Sequence, residues 1–600
     1  MGKTLIEKII ATHGGPDAKP GDIVDLEIDV RLARDFGGAN VVKNLEDAEL
    51  GIDDPARTFF TFDCNPTGSD QKYAANQQRC RLYARREGIK VFDIHSGIGT
   101  HVAIEHGLAV PGSTLVSTDS HANIMGAIGA FGQGLGDVDM AHVFAFGRTW
   151  FRVPPTIKLI LEGEPGPLAG PKDVVLAILA ELGAAGLLGH AAEIHGPFAE
   201  GLDLDDRVTI ASMGTEMGAI IVLFPPSRAV LDYCRVRAQR DVAPVLPDAD
   251  ARYARTLTVN LDGLGPMVAR PGHPEDAVAV DAVAGRKIDS AFIGSCTNGR
   301  ISDLREAAAV LAGRRVAPGV VLKIVPATDS VWRQALDEGL IDVFKRAGAL
   351  VGNAGCAGCA AGQIGMNGPG EVTVSTGNRN FAGKQGKGEV FLASPATVAA
   401  SAASGVVTHA GALAEEPVLF VEGDDPTPRA ERRAGAGGGR PTVIKGRVWV
   451  IRRDNIDTDM IFHNRYLAIT DVSEMGQYAF DNLEGWEDFA KRVRPGDIVV
   501  TGANFGAGSS RQQAVDCFKA LGVPLIVAKS YGAIYERNAV NAGLPILTAD
   551  LLATDIADGE TIRVDLATGL VTRADGGTVQ GAPFSEVQLG IYQRGGLLAG

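Results

Sequence analysis

At 600 residues the chain is too long for one hydrophobic core and predicts roughly three to five domains. Its 45% hydrophobic and 22% charged residues exclude a disordered chain, and a net charge of −15 disfavours a nucleic-acid binder working through a basic surface. Seven cysteines exclude a disulfide scaffold and predict a reducing, cytoplasmic compartment, while 76 glycines predict many tight loops where backbone can approach a ligand.

The chain opens on a predicted amphipathic helix, with Leu5, Ile6, Ile9 and Ile10 at helical spacing and His13-Gly14-Gly15 ending it. No export or myristoylation signal precedes it, since Ile6 stands where the latter needs Ser or Thr. Apolar runs at 157–161, 220–224 and 320–325 read as buried strands, and 173–189 reads as a helix. That alternation predicts α/β architecture. A weak break falls near 262–285. The uncharged run 394–414 is dominated by Ala, Ser, Gly and Thr with His409 inside, so it predicts a packed small-residue helix and no membrane span. Residues 422–441 are charged, rich in Pro and Gly and without a large apolar residue, which predicts a linker between a 1–421 region and a 442–600 domain. Beyond it, 447–451, 497–502 and 524–530 read as short strands among loops and helices.

Three cysteines carry the first chemical signal: Cys296 in FIGSCTNGR, and Cys356 and Cys359 in NAGCAGCAAG. Three unrelated buried thiols would be the plain alternative. A structural zinc site wants four ligands, and a thioredoxin-like pair leaves Cys296 unexplained. Three thiolates suit a [4Fe-4S] cluster with one iron open to substrate and water. Cys64, Cys80, Cys234 and Cys517 show no partner spacing. Asp119-Ser120-His121 follows a strand-like stretch and by itself reads as helix capping; His101 and Asp63 are equally plain alone. The glycine loop NFGAGSSRQQA places Ser509, Ser510 and Arg511 after a strand, without the Gly-Lys-Ser/Thr of a nucleotide loop, and its backbone N–H groups would suit a carboxylate. Arg379 and Lys384, with Asn378 and Asn380, lie in STGNRNFAGKQG; together with Arg511 they could clamp two carboxylates.

Taken together, PGSTLVSTDSH (111–121), RVTIASMGTEMGA (207–219), IGSCTNGR (293–300), CAGC (356–359), GNRNFAGK (377–384), DNIDTD (454–459) and NFGAGSSR (504–511) resemble the aconitase superfamily, in its isopropylmalate dehydratase and homoaconitase branch. The resemblance covers nearly the whole chain, with large- and small-subunit regions fused, so no separate small subunit is expected. It implies an α/β fold, with three domains around a cluster and a swivelling small domain closing over it. It implies a hydro-lyase acting on a 2-hydroxy di- or tricarboxylic acid, with Cys296, Cys356 and Cys359 as cluster ligands and Ser509 as the base. His101, Asp119, His121 and Asp63 would form the acid network and Glu216 would orient water. Arg379, Lys384, Arg511, Asn378 and Ser510 would hold substrate.

Departures from the pattern are Cys64 where a histidine usually follows the aspartate, Ser212 for an asparagine, Lys384 for an arginine, and Gln512-Gln513 after Arg511. In the loop HNRYLAITD, Ala468 and Ile469 stand where homoaconitase-like members would carry an arginine. This favours an isopropylmalate-like or other alkylmalate, with a tricarboxylate as the alternative through His463 or Arg465. A rival of another class is an RNA-binding protein that acts once its cluster is lost, which the net charge of −15 opposes. A degenerate, inactive binding protein is opposed by the three cysteines and Ser509.

Overall fold

The computed structural model describes residues 2–66, 71–358, 364–413 and 439–598. Two compact units form, Met1–Gly423 and Asp424–Gly600. Most of the stretch read as a linker lies outside the described residues, as does Cys359.

Three main sheets build the first unit. The first holds five parallel strands in the order Lys90–Phe92, Thr58–Thr61, Val30–Arg34, Thr114–Ser117 and Phe131–Gly134. Its central strand is buried at every position, as expected of a parallel sheet covered on both faces. The second has four parallel strands, Ile221–Leu223, Ala191–His195, Thr156–Glu162 and Arg255–Asn260. The third runs Ala277–Ala279, Met267–Ala269, Glu389–Ala393, Val372–Ser375, Ser290–Ile293, Val321–Ile324 and Leu350–Val351. Its last five strands are mutually parallel, while Met267–Ala269 pairs antiparallel on both sides. The sequence region 262–285 thus supplies an edge of this third sheet.

The N-terminal helix is present as Leu5–Gly14, burying Leu5, Ile6, Ile9 and Ile10. The helix expected over 173–189 is shorter, Pro171–Leu182. It stops because Gly183 takes the left-handed conformation (φ +69°), and glycines at 186 and 189 follow. The small-residue run folds as the buried helix Pro395–Ser404. Among the described residues no helix is long and apolar enough to cross a membrane.

The second unit is one seven-stranded sheet, ordered Ile546–Thr548, Ile526–Ala528, Ile498–Thr501, Val443–Ile451, Thr561–Asp565, Leu570–Thr572 and Thr578–Gln580. The first four strands are parallel and the remainder antiparallel. Cores built separately from Trp449, Phe480, Phe489, Phe505 and Phe518 and from Val448, Val500, Val527 and Val564 give this unit its own hydrophobic support.

Candidate active site

Parallel α/β sheets gather ligand-binding groups beyond the carboxyl ends of their strands. In the first unit Asp63 follows Thr58–Thr61, Asp119 and His121 follow Thr114–Ser117, Cys296 follows Ser290–Ile293, and Asn378 and Arg379 follow Val372–Ser375. Cys296 and Cys356 are buried and pack in one small cluster with Ile98 and Ala327. Positive φ precedes each cysteine: Gly294 and Gly355 both have φ +152°, open to glycine, and Ser295 at +81° is the one non-glycine held there.

The sequence-derived residues meet here. Cys296 Sγ lies 3.4 Å from His121 Nδ1, and Asp119, His121 and Cys296 offer ligand atoms within 4.8 Å of one another. His121 Nε2 is 3.0 Å from Glu216 Oε1. Arg379 Nε donates to both Glu216 oxygens, at 2.9 and 3.1 Å. Burial pushes the Glu216 carboxyl up, but His121 and Arg379 outweigh it and hold the group below its ordinary value. Asn378 is fully buried, with Oδ1 3.9 Å from Cys296 Sγ and Nδ2 without a partner among the described residues. Such an orphaned donor is costly unless a bound group uses it. Lys384 is half-buried in the same loop, its amide donating to Phe381 O.

Asp63 accepts from Arg34 Nε at 2.7 Å and from the Gly99 amide at 2.8 Å. Burial pushes its carboxyl up to about 7, against the pull of Arg34. Cys64, in the position of the usual histidine, turns its thiol toward Asp63 Oδ1 at 3.5 Å, and burial pushes that thiol well above its ordinary value. Asp119 pairs with Arg34 Nη1 at 3.2 Å and accepts from the His121 amide in a local turn. The short helix that follows starts at Ala122 with His121 at its N-cap and no side-chain cap bond, so the capping read from the sequence is absent. His101 differs from a free acid. Its Nε2 lies 3.0 Å from Cys296 O and its Nδ1 3.4 Å from Arg300 Nη1, so the ring donates to the carbonyl and accepts from the guanidinium. Burial, reinforced by Arg300, lowers it to about 4 and keeps it neutral. Ser212 bonds Thr209 O and Thr297 Oγ1 and sits within the supporting wall.

Four charged groups escaped the sequence reading. Arg34 bridges Asp63 and Asp119, and Asp35 accepts the amides of residues 63, 64 and 65 together with Gln77 Nε2. Arg300 pairs with Asp205 and braces His101. Lys172 is buried beneath the Asn378–Arg379 loop. Only Arg300 lay inside a quoted motif.

In the second unit the loops 454–459 and 504–511 lie side by side: Gly506 N donates to Ile456 O at 2.7 Å and Thr458 N to Ala507 O at 2.9 Å. Gly506 is left-handed (φ +74°), and a Cβ there would stand 2.2 Å from Tyr535 Cγ. Ser509 and Ser510 are exposed on this loop, ahead of the helix Gln513–Ala520. Arg511 is buried; it bonds Phe462 O and pairs with Asp459, while its Nε has no partner. Ala468 is exposed and Ile469 half-buried against the aromatic core. Arg465 is bound to Asp481 at 3.0 Å and stacked on Tyr466, and its amide donates to His463 Nδ1.

Comparison with known proteins gives the same reading. The chain matches the aconitase family (aconitate hydratase) over residues 7–405 and the aconitase C-terminal domain over 449–550. The 3-isopropylmalate dehydratase large subunit 1 of Methanopyrus kandleri is 42% identical over 414 residues, which is 68% of this chain and 99% of that protein. The homoaconitase large subunit of Thermus thermophilus is 40% identical, covering 70% of this chain and all of that one. The mitochondrial homoaconitase of Eremothecium gossypii is 34% identical across 92% of this chain and 86% of its own length. This chain therefore belongs to the aconitase family, as an enzyme of its hydro-lyase class.

Proposed function

We propose that the chain is a [4Fe-4S]-dependent hydro-lyase that dehydrates and rehydrates an isopropylmalate-like or smaller alkylmalate. The observation that carries this reading is the convergence of Cys296, His121, Glu216, Arg379 and Asn378 around buried thiols. Cys296, Cys356 and Cys359 would hold the cluster, and the described donors fit: the Cys296 and Cys356 thiols are buried together, with the Asn378 amide beside Cys296. When bound, the cluster would supply a Lewis-acidic iron for the substrate's hydroxyl.

The chain's own groups divide the remaining work. Ser509 takes the proton from carbon. Asp63, with its carboxyl pushed up to about 7, is poised to exchange a proton near neutral pH, and Asp119 and His121 complete the path to the leaving hydroxyl. His101 orients the Cys296 backbone through its neutral ring. Glu216 and His121 position water. Arg379, Lys384, Arg511, Asn378 and Ser510 hold the two carboxylates. Ala468 and Ile469 read the alkyl end: they offer apolar surface and no cation to a second distal carboxylate, and Arg465 is already committed to Asp481. A second reading, a longer tricarboxylate, is favoured by the single-chain homoaconitase aligned over both units.

The test is anaerobic reconstitution with iron and sulfide, followed by competition between alkylmalates and homocitrate or homoaconitate, read by alkene absorbance. The expected result is a higher kcat/KM for the alkylmalates, with Ala468→Arg moving the ratio toward the tricarboxylates. Wild-type preference for homoaconitate would overturn the alkylmalate reading. Zinc without iron after anaerobic purification would overturn the cluster.

A further inference from the structure

Lys172 is buried to 1% exposure at the start of the helix Pro171–Leu182. Its ammonium donates to Gly377 O at 2.8 Å and to Thr376 O at 3.1 Å, and lies 3.8 Å from Met213 Sδ. Among the described residues no carboxylate stands within ion-pair distance of it; Asp303, Glu216, Cys296 and Asp173 act on it only at longer range. Burial lowers its amine to about 7, so near neutral pH only part of the charge is retained, while donation to the two carbonyls is open to the charged and the neutral amine alike. Two anchors fix where it emerges. Asp173 accepts from Gly170 N at 2.8 Å and from Met267 N at 2.7 Å, which ties the helix start to the third sheet. On the far side, Thr376 exchanges hydrogen bonds with both the amide and the carbonyl of Gly294, two residues before Cys296. The carbonyls that Lys172 grips immediately precede Asn378 and Arg379.

We propose that Lys172 is the positioning residue of the carboxylate clamp, holding the 376–377 carbonyls so that Asn378 and Arg379 stand in place for substrate. The inference rests on the reading above, in which those two residues face the substrate. The lysine is kept because two carbonyls of a glycine-containing loop have no intrinsic reason to converge, and a multiple donor aimed from the helix start makes them do so. The buried Nδ2 of Asn378 and the bifurcated bond from Arg379 Nε to Glu216 depend on that loop's conformation.

The experiment uses the full-length, reconstituted chain and the Lys172→Met variant, which keeps side-chain length and removes charge and donors. Backbone amides of 376–380 should exchange about tenfold faster with solvent, while the strands of the third sheet stay protected. The KM for isopropylmalate should rise about tenfold with kcat within about threefold, at unchanged iron content. The melting temperature should fall modestly, because two buried carbonyls lose their donor; a purely structural lysine would lower it likewise but leave KM alone. Combined with Arg379→Lys, the KM effect should be less than additive, since both act through one clamp. Unchanged loop exchange, or a KM within about twofold of wild type, would overturn the proposal. Wild-type inactivity on every hydroxy acid would defeat the functional reading alone, and loop exchange would still decide the role of Lys172.

Discussion

The two units present their chemistry in opposite ways. In the larger unit the charged groups wait inside the protein: Arg34, Asp63, Asp119 and His121 are buried and already joined to one another. In the smaller unit Ser509 and Ser510 face solvent, and only Arg511 beside them is buried and paired. The difference follows from hydration cost. A hydroxyl waits in water at no penalty, whereas a carboxylate or guanidinium fixed in low dielectric must be paired beforehand to exist there at all. Pre-pairing gives the larger unit a fixed electrostatic frame, whereas the smaller unit holds its serines on a loop bonded to its neighbour through backbone.

The comparison breaks most completely at the thiols. Cys296→Ser or Cys356→Ser should abolish retention of iron and sulfide, while Cys80→Ser, in the helix Gln71–Glu87, should retain both; metal analysis and visible absorbance decide it. Next in size is the exposed loop. Ser509→Ala should leave the cluster spectrum intact and lower kcat by about 10²–10⁴-fold, the usual contribution of a positioned base. A variant retaining most of its turnover would remove the smaller unit's serine from the reaction.

Arg34→Met sharpens the contrast from the other side. It strands Asp63 and Asp119 without their shared cation and should destabilise the larger unit by about 3–5 kcal/mol, seen as an earlier urea transition. No comparable loss is expected for Ser509→Ala. The smallest effect tests buried charge away from the site. Burial, with Asp303 next, pushes the half-buried Glu306 up to about 8 from 4.5. The folded state therefore holds a proton that the unfolded chain releases, so the group's contribution is fully present below about pH 4.5 and is lost as pH rises toward 8. Glu306→Gln keeps an acceptor for the Ala396 amide and should match wild type at pH 4.5. At pH 8 it should be more stable by on the order of 1–2 kcal/mol in urea titrations.

Legibility in the sequence divides along the same line. The glycine loop around Ser509 and the cysteine-bearing turns are local, so residue order alone marks them, and the strands at 157–161, 320–325 and 447–451 follow from apolar runs that burial requires. The buried frame is not local. Lys172 meets a carbonyl 205 positions away, Arg300 meets His101 across 199, and Arg34 finds Asp63 only because two parallel strands end together. No periodicity encodes such contacts. His101 shows the limit: the resemblance marks it for the acid network, but its neutral, doubly bonded ring depends on Cys296 O and on Arg300, far away in sequence.

Gly506 constrains how this protein can change over time. Its left-handed backbone excludes most side chains, and Tyr535 fills the space where a Cβ would go. Shrinking Tyr535 would relieve the clash without relieving the backbone, so no single compensating change opens a route away from glycine. A mutational library across the 504–511 loop would therefore return glycine at this site under selection for activity. The serine three residues on inherits its address from a residue that has no side chain to vary.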